Sequence, residues 1–468
     1  MNVLILFFRY SKIIICLFST VFSEIKTKPL TKTLFIIHHS TFYINSYFCR
    51  RIITSNMAIP FSRNILSNGL HVLVHEDHTT PLATTTIVYR VGSRDENPDC
   101  TGLAHLMEHF MFSGSDHAPD FDLTLQQVGA INNAYTSQDL TCYYIVLPAN
   151  NIETALWLES DRMAALSFSQ QGLDVQKQVV MEEFKETCLN QPYGDLMMQI
   201  YGLSYQNHPY QWLPIGKELA HIEQVDMGVV RNFHDTFYCP ANAILVIAGN
   251  VHAEEVFTMA EKWFGDIPSG RRNLHHYMQE FPSSYNRQKT VQRPVPDDML
   301  FKSWLMPART DTDYCAYDLL SDILGTGQSS YLYRKFVVED RLFTDLSASV
   351  SGNADKGLFF VGGRPASGVP IEKADELLSK YLYDFQFDSK LSYDLQKVKN
   401  NAESIILERN LKVEDRANTL ATGEFYSRAE DFADERTGYF AVTEEDIRRI
   451  TETMFRRNSS NTLYYNKL

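Results

Sequence analysis

Cysteine is scarce and dispersed in this chain. Its 468 residues hold seven, Cys16, Cys49, Cys100, Cys142, Cys188, Cys239 and Cys315, an odd number with no CxxC pair. That spacing excludes a cysteine zinc ribbon, offers no disulfide framework and suits reduced thiols in a cytoplasm. Long apolar runs are also missing: residues 3–8 and 13–22 are apolar but too short to span a bilayer. Acidic residues are nearly absent from residues 1–56, which carry seven Lys or Arg and one acid, Glu24. Beyond them the shortage reverses, with 36 basic residues against 56 acidic ones and a net charge of about −20, so nucleic acid is a poor partner.

The first 56 residues admit three readings. A signal peptide is interrupted by Arg9 and Lys12 and lacks a small-residue cleavage site, and an acid-poor organellar presequence is the second option. The favoured reading is an unstructured or spurious extension, with the functional chain starting near Met57, where turn and strand signals begin. The location favoured is cytoplasmic; export or organellar targeting by residues 1–25 stays open.

What the chain does have is HLMEH, within GLAHLMEHFMFSGS at residues 102–115. Four residues are a little over one helical turn, so His105 and His109 project from nearly the same face and can share one metal ion. Glu108 lies beside them. HxxEH is the inverted form of the HExxH metalloprotease signature, in which the carboxylate between the ligands is the base toward the attacking water. The competing reading is a core helix with two satisfied histidines. Leu103, Leu106, Met107 and Phe110 already supply an apolar stripe, however, so the polar triplet is not needed for burial.

Along the body, Asn68-Gly69 marks a turn before a strand at 70–75, Pro81 precedes an alternating strand at 84–91, and a helix at 121–128 releases at Gly129 into INNAYTSQD, followed by a β-rich run at 140–147. Helical spacing returns at 151–166, where Trp157 reads as packing, and at 173–189, LDVQKQVVMEEFKETCL. His208, before Pro209, reads as loop chemistry and not as a ligand. A Pro240 stop separates a helix from a strand at 243–248.

At a constant offset of 215 residues, the run from Arg94 to Cys100 and its following helix match Arg309 to Cys315 and theirs. In that register His105, Glu108 and His109 become Leu320, Ile323 and Leu324. The repeat implies a retained fold whose second copy lost the polar triplet, so the triplet serves something other than packing. The expected architecture is α+β, two homologous domains, each a mixed, mostly antiparallel sheet with helices packed on one face. The expected boundaries are a metal-binding domain at 57–265, a linker at 266–296 rich in Pro, Gly and Ser, and a homologous domain without a metal site at 297–468.

HxxEH followed about seventy residues later by a helix ending in VVxEE resembles the pitrilysin, insulinase and mitochondrial processing peptidase superfamily of zinc metallopeptidases, here as a short two-domain bacterial-type member. The resemblance implies that Glu183 is the third metal ligand, with His105 and His109, for one Zn²⁺ per chain. It implies that the strand holding Asn133, Ala134 and Tyr135 is an edge onto which a peptide adds as a further strand; a plain hairpin is the alternative. It further implies that the chain is half of a clamshell closed by a homologous subunit. Two positions depart from the family pattern. Where a glutamate is usual, seven residues before Glu183, Gln176 can hydrogen-bond near the ligands but brings no charge. The arginine and tyrosine usual after the GxxSS turn are Val338 and Asp345.

The function expected is a zinc-dependent endopeptidase acting on extended or unfolded peptides, with Glu108 as catalytic base; the alternative is a non-catalytic scaffold or processing subunit of the same fold. A heterodimer is favoured, in which a partner chain supplies the missing arginine and tyrosine. In the other arrangement, a homodimer, Tyr333 or Arg334 would hold the substrate.

Overall fold

Segments of alternating or continuous apolar residues form two sheets. The computed structural model describes residues 58–274, 277–455 and 459–468, so the reading of residues 1–56 lies outside the described residues. Residues Ile59–Leu468 make one unit.

The first sheet contains β1 (Ser62–Ile65), β2 (His71–Glu76), β3 (Leu82–Tyr89), β4 (Ile131–Thr136), β5 (Thr141–Pro148) and β6 (Ala243–Gly249), in the order β1-β2-β6-β3-β5-β4. Only β2 and β6 run parallel within it. The β1–β2 turn uses Gly69 at φ +89°, a left-handed conformation that a side chain would strain. The second sheet contains β7 (Arg287–Arg293), β8 (Met299–Leu305), β9 (Phe343–Ser351), β10 (Leu358–Pro365) and β11 (Asn461–Lys467), in the order β7-β11-β8-β10-β9. Here β7 and β11 are the parallel pair. Matching β2-β6-β3-β5-β4 with β7-β11-β8-β10-β9 reproduces every neighbour and every direction, which is the internal repeat in three dimensions. The segment that reads from sequence as a linker therefore contributes β7 at the edge of the second sheet.

Among the helices that cover the sheets or position the site are α1 (Leu103–Phe110), α2 (Ile152–Ala164), α3 (Gln170–Phe184), α4 (Leu196–Ser204), α5 (Ala253–Phe264), α6 (Tyr314–Gly325), α7 (Val413–Tyr426) and α8 (Ala429–Ala433). One face of the first sheet, through Val72, Ile87, Tyr143, Ile145 and Leu245, packs on α1, α2, α3 and α5. The sequence pattern predicts helices on one face, yet the opposite face is covered as well. Leu73, Val88, Ile244, Val246 and Ala248 meet Ala417, Leu420, Ala421 and Phe425 of α7 and Ala429 and Ala433 of α8, which come from the second half of the chain. The exchange is mutual. Leu196 and Ile200 of α4, from the first half, cover Leu358, Phe360, Leu463 and Tyr465 of the second sheet. β6, AILVIAG, is buried at every position, as a strand apolar on both faces must be.

Polar contacts fasten α7 in place. Arg90 donates to the carbonyls of Phe425 (2.9 Å) and Glu424 (3.0 Å) at the helix C-terminus, where a cation is favoured. Glu424 meets Arg63 of β1 at 2.7 Å and His71 of β2 at 2.8 Å, and Arg416 pairs with Asp77. No helix among the described residues is long and apolar enough to cross a membrane.

Candidate metal centre

α1 begins at Gly102, whose φ of +88° and missing side chain leave the first helical N–H groups without a local cap. Glu96 supplies it from six residues upstream. Its carboxylate accepts from Gly102 N at 2.9 Å and Ala104 N at 2.8 Å, and from the Trp212 indole at 3.0 Å. Burial pushes the Glu96 pKa up to about 8 against the pull of these three donors. Nothing local in the sequence marks Glu96 for this role; its donors are reached only through the fold.

α1 lies against α3 and β4. α3 is capped by Ser169, which accepts from Gly172 N at 3.0 Å, and it runs into a π-helical turn, Lys185–Leu189, immediately after Phe184, one residue beyond Glu183. The Nε2 atoms of His105 and His109 stand 3.3 Å apart. Glu183 Oε2 lies 3.7 Å from His105 Nε2 and 3.5 Å from His109 Nε2. The two carboxylate distances are too long for good hydrogen bonds. They are instead the spacing of donors around a small ion, since a tetrahedron with legs of about 2.0–2.1 Å has edges of about 3.3–3.4 Å. Two imidazoles and a carboxylate are a zinc donor set, so the residues present fit the group. The side chains of His105, His109 and Glu183 are 13%, 25% and 36% exposed, so the triangle opens toward solvent on the Glu183 side.

Burial lowers the pKa of His105, with the neighbouring imidazole of His109 adding to it, which favours the neutral form that ligates metals. Its buried Nδ1 has no hydrogen-bond partner among the described residues. Glu183 is held below the usual carboxylate range by His109, against partial burial. Glu108 goes the other way: burial raises its pKa, opposed by the hydroxyl of Thr136, which donates to Glu108 Oε2 at 2.5 Å. Nothing in the sequence singles out Thr136, at the end of β4. Its partner is 28 residues away, and no short motif joins them.

β4 is an edge strand, bonded to β5 on one side only. Its residues alternate. Ala134 packs on the α1 side, whereas the hydroxyl of Tyr135 donates to Asn418 of α7 at 2.8 Å, on the opposite face. Asn133 is exposed and accepts from Ala134 N at 2.9 Å. The side chain of Tyr135 is therefore taken up within the chain and is not offered to a peptide on the free edge. His208 is buried in a loop, 3.2 Å from Asp355 and not part of the donor triangle on α1 and α3, and Trp157 packs on the core.

In the second copy, Leu320, Ile323 and Leu324 of α6 are fully buried, the apolar counterpart of the His-Glu-His triplet. Val338 is 56% exposed on a second π-helical turn, Tyr333–Glu339, and Asp345 of β9 is paired with Arg364 at 2.7 Å.

Comparison with known proteins gives two family-model matches. Residues 71–211 match the model described as Insulinase (Peptidase family M16), and residues 224–400 match Peptidase M16 inactive domain. The chain is similar to Zinc protease PqqE of Helicobacter pylori, 28% identical over 411 residues that cover 85% of this chain and 91% of the relative. It is 23% identical to the Probable mitochondrial-processing peptidase subunit beta of Arabidopsis thaliana, over 73% of this chain and 66% of that protein. Among solved structures, a protease from Helicobacter pylori superposes with a TM-score of 0.79 at 25% identity, covering 87% of this chain and 99% of that one. Pitrilysin, at 16% identity and a TM-score of 0.72, shares the fold over 87% of this chain and 45% of its own.

Proposed function

The chain belongs to the pitrilysin/insulinase superfamily, peptidase family M16, and from that premise we propose that it is a zinc-dependent endopeptidase of extended or unfolded peptides. The observation that carries the reading is the donor triangle of His105, His109 and Glu183, with edges of 3.3, 3.5 and 3.7 Å and the Glu108 carboxylate beside it. Zinc bound there supplies a Lewis acid for the peptide carbonyl and lowers the pKa of water to about 7. Glu108 takes the proton of the attacking water and delivers it to the departing amine; burial raises its pKa above the usual carboxylate value. Thr136 fixes the carboxylate that does so. The free edge of β4 aligns the substrate backbone through main-chain hydrogen bonds, which select for extended chains over particular side chains.

Zinc content of the purified protein, measured with hydrolysis of a quenched unstructured peptide, tests the reading. Glu108→Gln keeps the zinc and loses about 10²- to 10⁴-fold in turnover, whereas His109→Ala loses the zinc. Parental cleavage by Glu108→Gln would overturn the mechanism.

One observation favours a partner chain. The positions at which an arginine and a tyrosine would grip the substrate hold Val338 and an Asp345 already engaged by Arg364. The active species in this reading is a heterodimer with a homologous chain that supplies both residues. Full peptidase activity from the pure chain, at whatever mass it shows in solution, would exclude this; activity that arises only on adding such a chain supports it. The non-catalytic alternative is favoured if stoichiometric zinc binds and neither preparation cleaves.

A further inference from the structure

A second set of metal-capable side chains sits on the outside of the first sheet. The strands β2 and β6 run parallel and end together, Glu76 opposite Gly249. The segments that leave them stay side by side, with Asp77 N donating to Gly249 O at 2.7 Å. They carry His78 and His252, and His252 is the residue before α5. The Glu76 carboxylate is divided between two tasks. Oε1 accepts from Ala253 N, the first N–H of α5, at 2.9 Å. Oε2 faces both imidazoles, 3.4 Å from His78 Nε2 and 3.7 Å from His252 Nδ1.

The His78 ring is oriented through its other nitrogen. Nδ1 is 2.8 Å from Asn250 Oδ1, which turns Nε2 toward Glu76; in the neutral ring with its hydrogen on Nδ1, Nε2 has the lone pair that a cation takes. A hydrogen bond to the far nitrogen is how histidine ligands are commonly oriented. The two rings are 4.9 Å apart at an angle of 44°, and the two edges that meet at Glu76 Oε2, 3.4 and 3.7 Å, fall close to those of the triangle on α1 and α3. All three side chains are exposed, at 40%, 48% and 66%, so an ion can enter without rearrangement of the fold and retain water.

We propose that Glu76, His78 and His252 form a second divalent-cation site of the zinc class, which fastens the end of β2 to the start of α5. Two imidazoles and one carboxylate select borderline divalent ions over calcium or magnesium. The site is separate from the first. Through the strand register, Glu76 lines up with Gly249, Ala83 and Leu147, whereas the Thr136 that holds Glu108 lines up with Thr141 and Tyr89 at the other end of the sheet. Six residue steps along β3, from Ala83 to Tyr89, separate those ends, roughly 20 Å of strand, so the second ion touches none of the reacting groups.

Zinc titration of the His105→Ala/His109→Ala chain against a chromophoric chelator tests this. One equivalent is expected to bind, with a rise of a few degrees in melting temperature on adding zinc, because an ion that binds only the folded state stabilises it. Adding His78→Ala and His252→Ala removes both the equivalent and the rise. A second measurement covers a failure of the α1 variant to fold: His78→Ala/His252→Ala in the otherwise native chain loses one of two zinc equivalents and cleaves peptide at the parental rate. If that variant binds as much zinc as its parent, or if its melting temperature responds equally to zinc, the site does not exist. Loss of the first equivalent alone concerns the triangle on α1 and α3, so the two readings fail separately.

Discussion

A single hydroxyl on an edge strand holds the carboxylate of Glu108, the base of the proposed mechanism. Thr136→Val keeps the β-branched shape and deletes the donor to Glu108; a hydrogen bond to a charged group contributes about 1.5–3 kcal/mol, so kcat/KM falls about 10- to 100-fold with zinc content unchanged. Thr136→Ser restores most of it, and steady-state kinetics of the pair with metal analysis checks both. Behind the site, Arg162 and Glu159 of α2 form a fully buried pair at 2.6 Å, with the guanidinium 4.2 Å from the Tyr143 ring. Arg162→Ala leaves Glu159 buried and unpaired, and a loss of about 3–5 kcal/mol is expected in denaturant unfolding. Removing both charges, as Glu159→Gln with Arg162→Met, costs less than the single change.

At the scale of elements, α7 is the piece whose attachment depends on pH. Burial works to raise the pKa of Glu424, but the His71 bond, the Ala429 N–H and Arg63 bring it down to about 2; Asp77 also falls to about 2, as the Thr79 hydroxyl and N–H and Arg416 outweigh its burial. Both carboxylates are depressed in the folded state, so their contribution is complete above their unfolded pKa values and is lost as pH falls from about 4.5 toward 2. Hydrogen exchange across that window is expected to show α7 losing protection before α1, and Glu424→Gln flattens the dependence of melting temperature on pH. Elements are also where the sequence is most readable. The HLMEH helix, the strands β2, β3, β5 and β6 and the apolar copy at Leu320, Ile323 and Leu324 follow from periodicity and repeat. Glu183 is reached only through family resemblance, because 74 residues separate it from His109 and no local pattern spans that gap. Thr136 and Glu96 are not legible at all, since each acts through contacts that exist only once strand and helix have met.

At the scale of the molecule, the exchange of α4 against α7 and α8 removes the independence that two repeated halves would suggest. The two halves, divided between α5 and β7 and expressed separately, each expose one apolar sheet face, Val88, Ile244 and Val246 on the first and Phe360, Leu463 and Tyr465 on the second. Neither half is expected to unfold cooperatively alone, while the two together recover the native circular dichroism and zinc binding; cooperative melting of an isolated half would refute the interdependence. The same exchange sets a timetable on the ribosome. The last strand of the first sheet, β6, is finished at Gly249, but the helix that covers its outer face begins at Val413. At about 5–20 residues per second, roughly 160 residues of further synthesis leave that apolar face bare for about 8–30 seconds in every nascent chain, an interval long enough for a chaperone to be its first occupant.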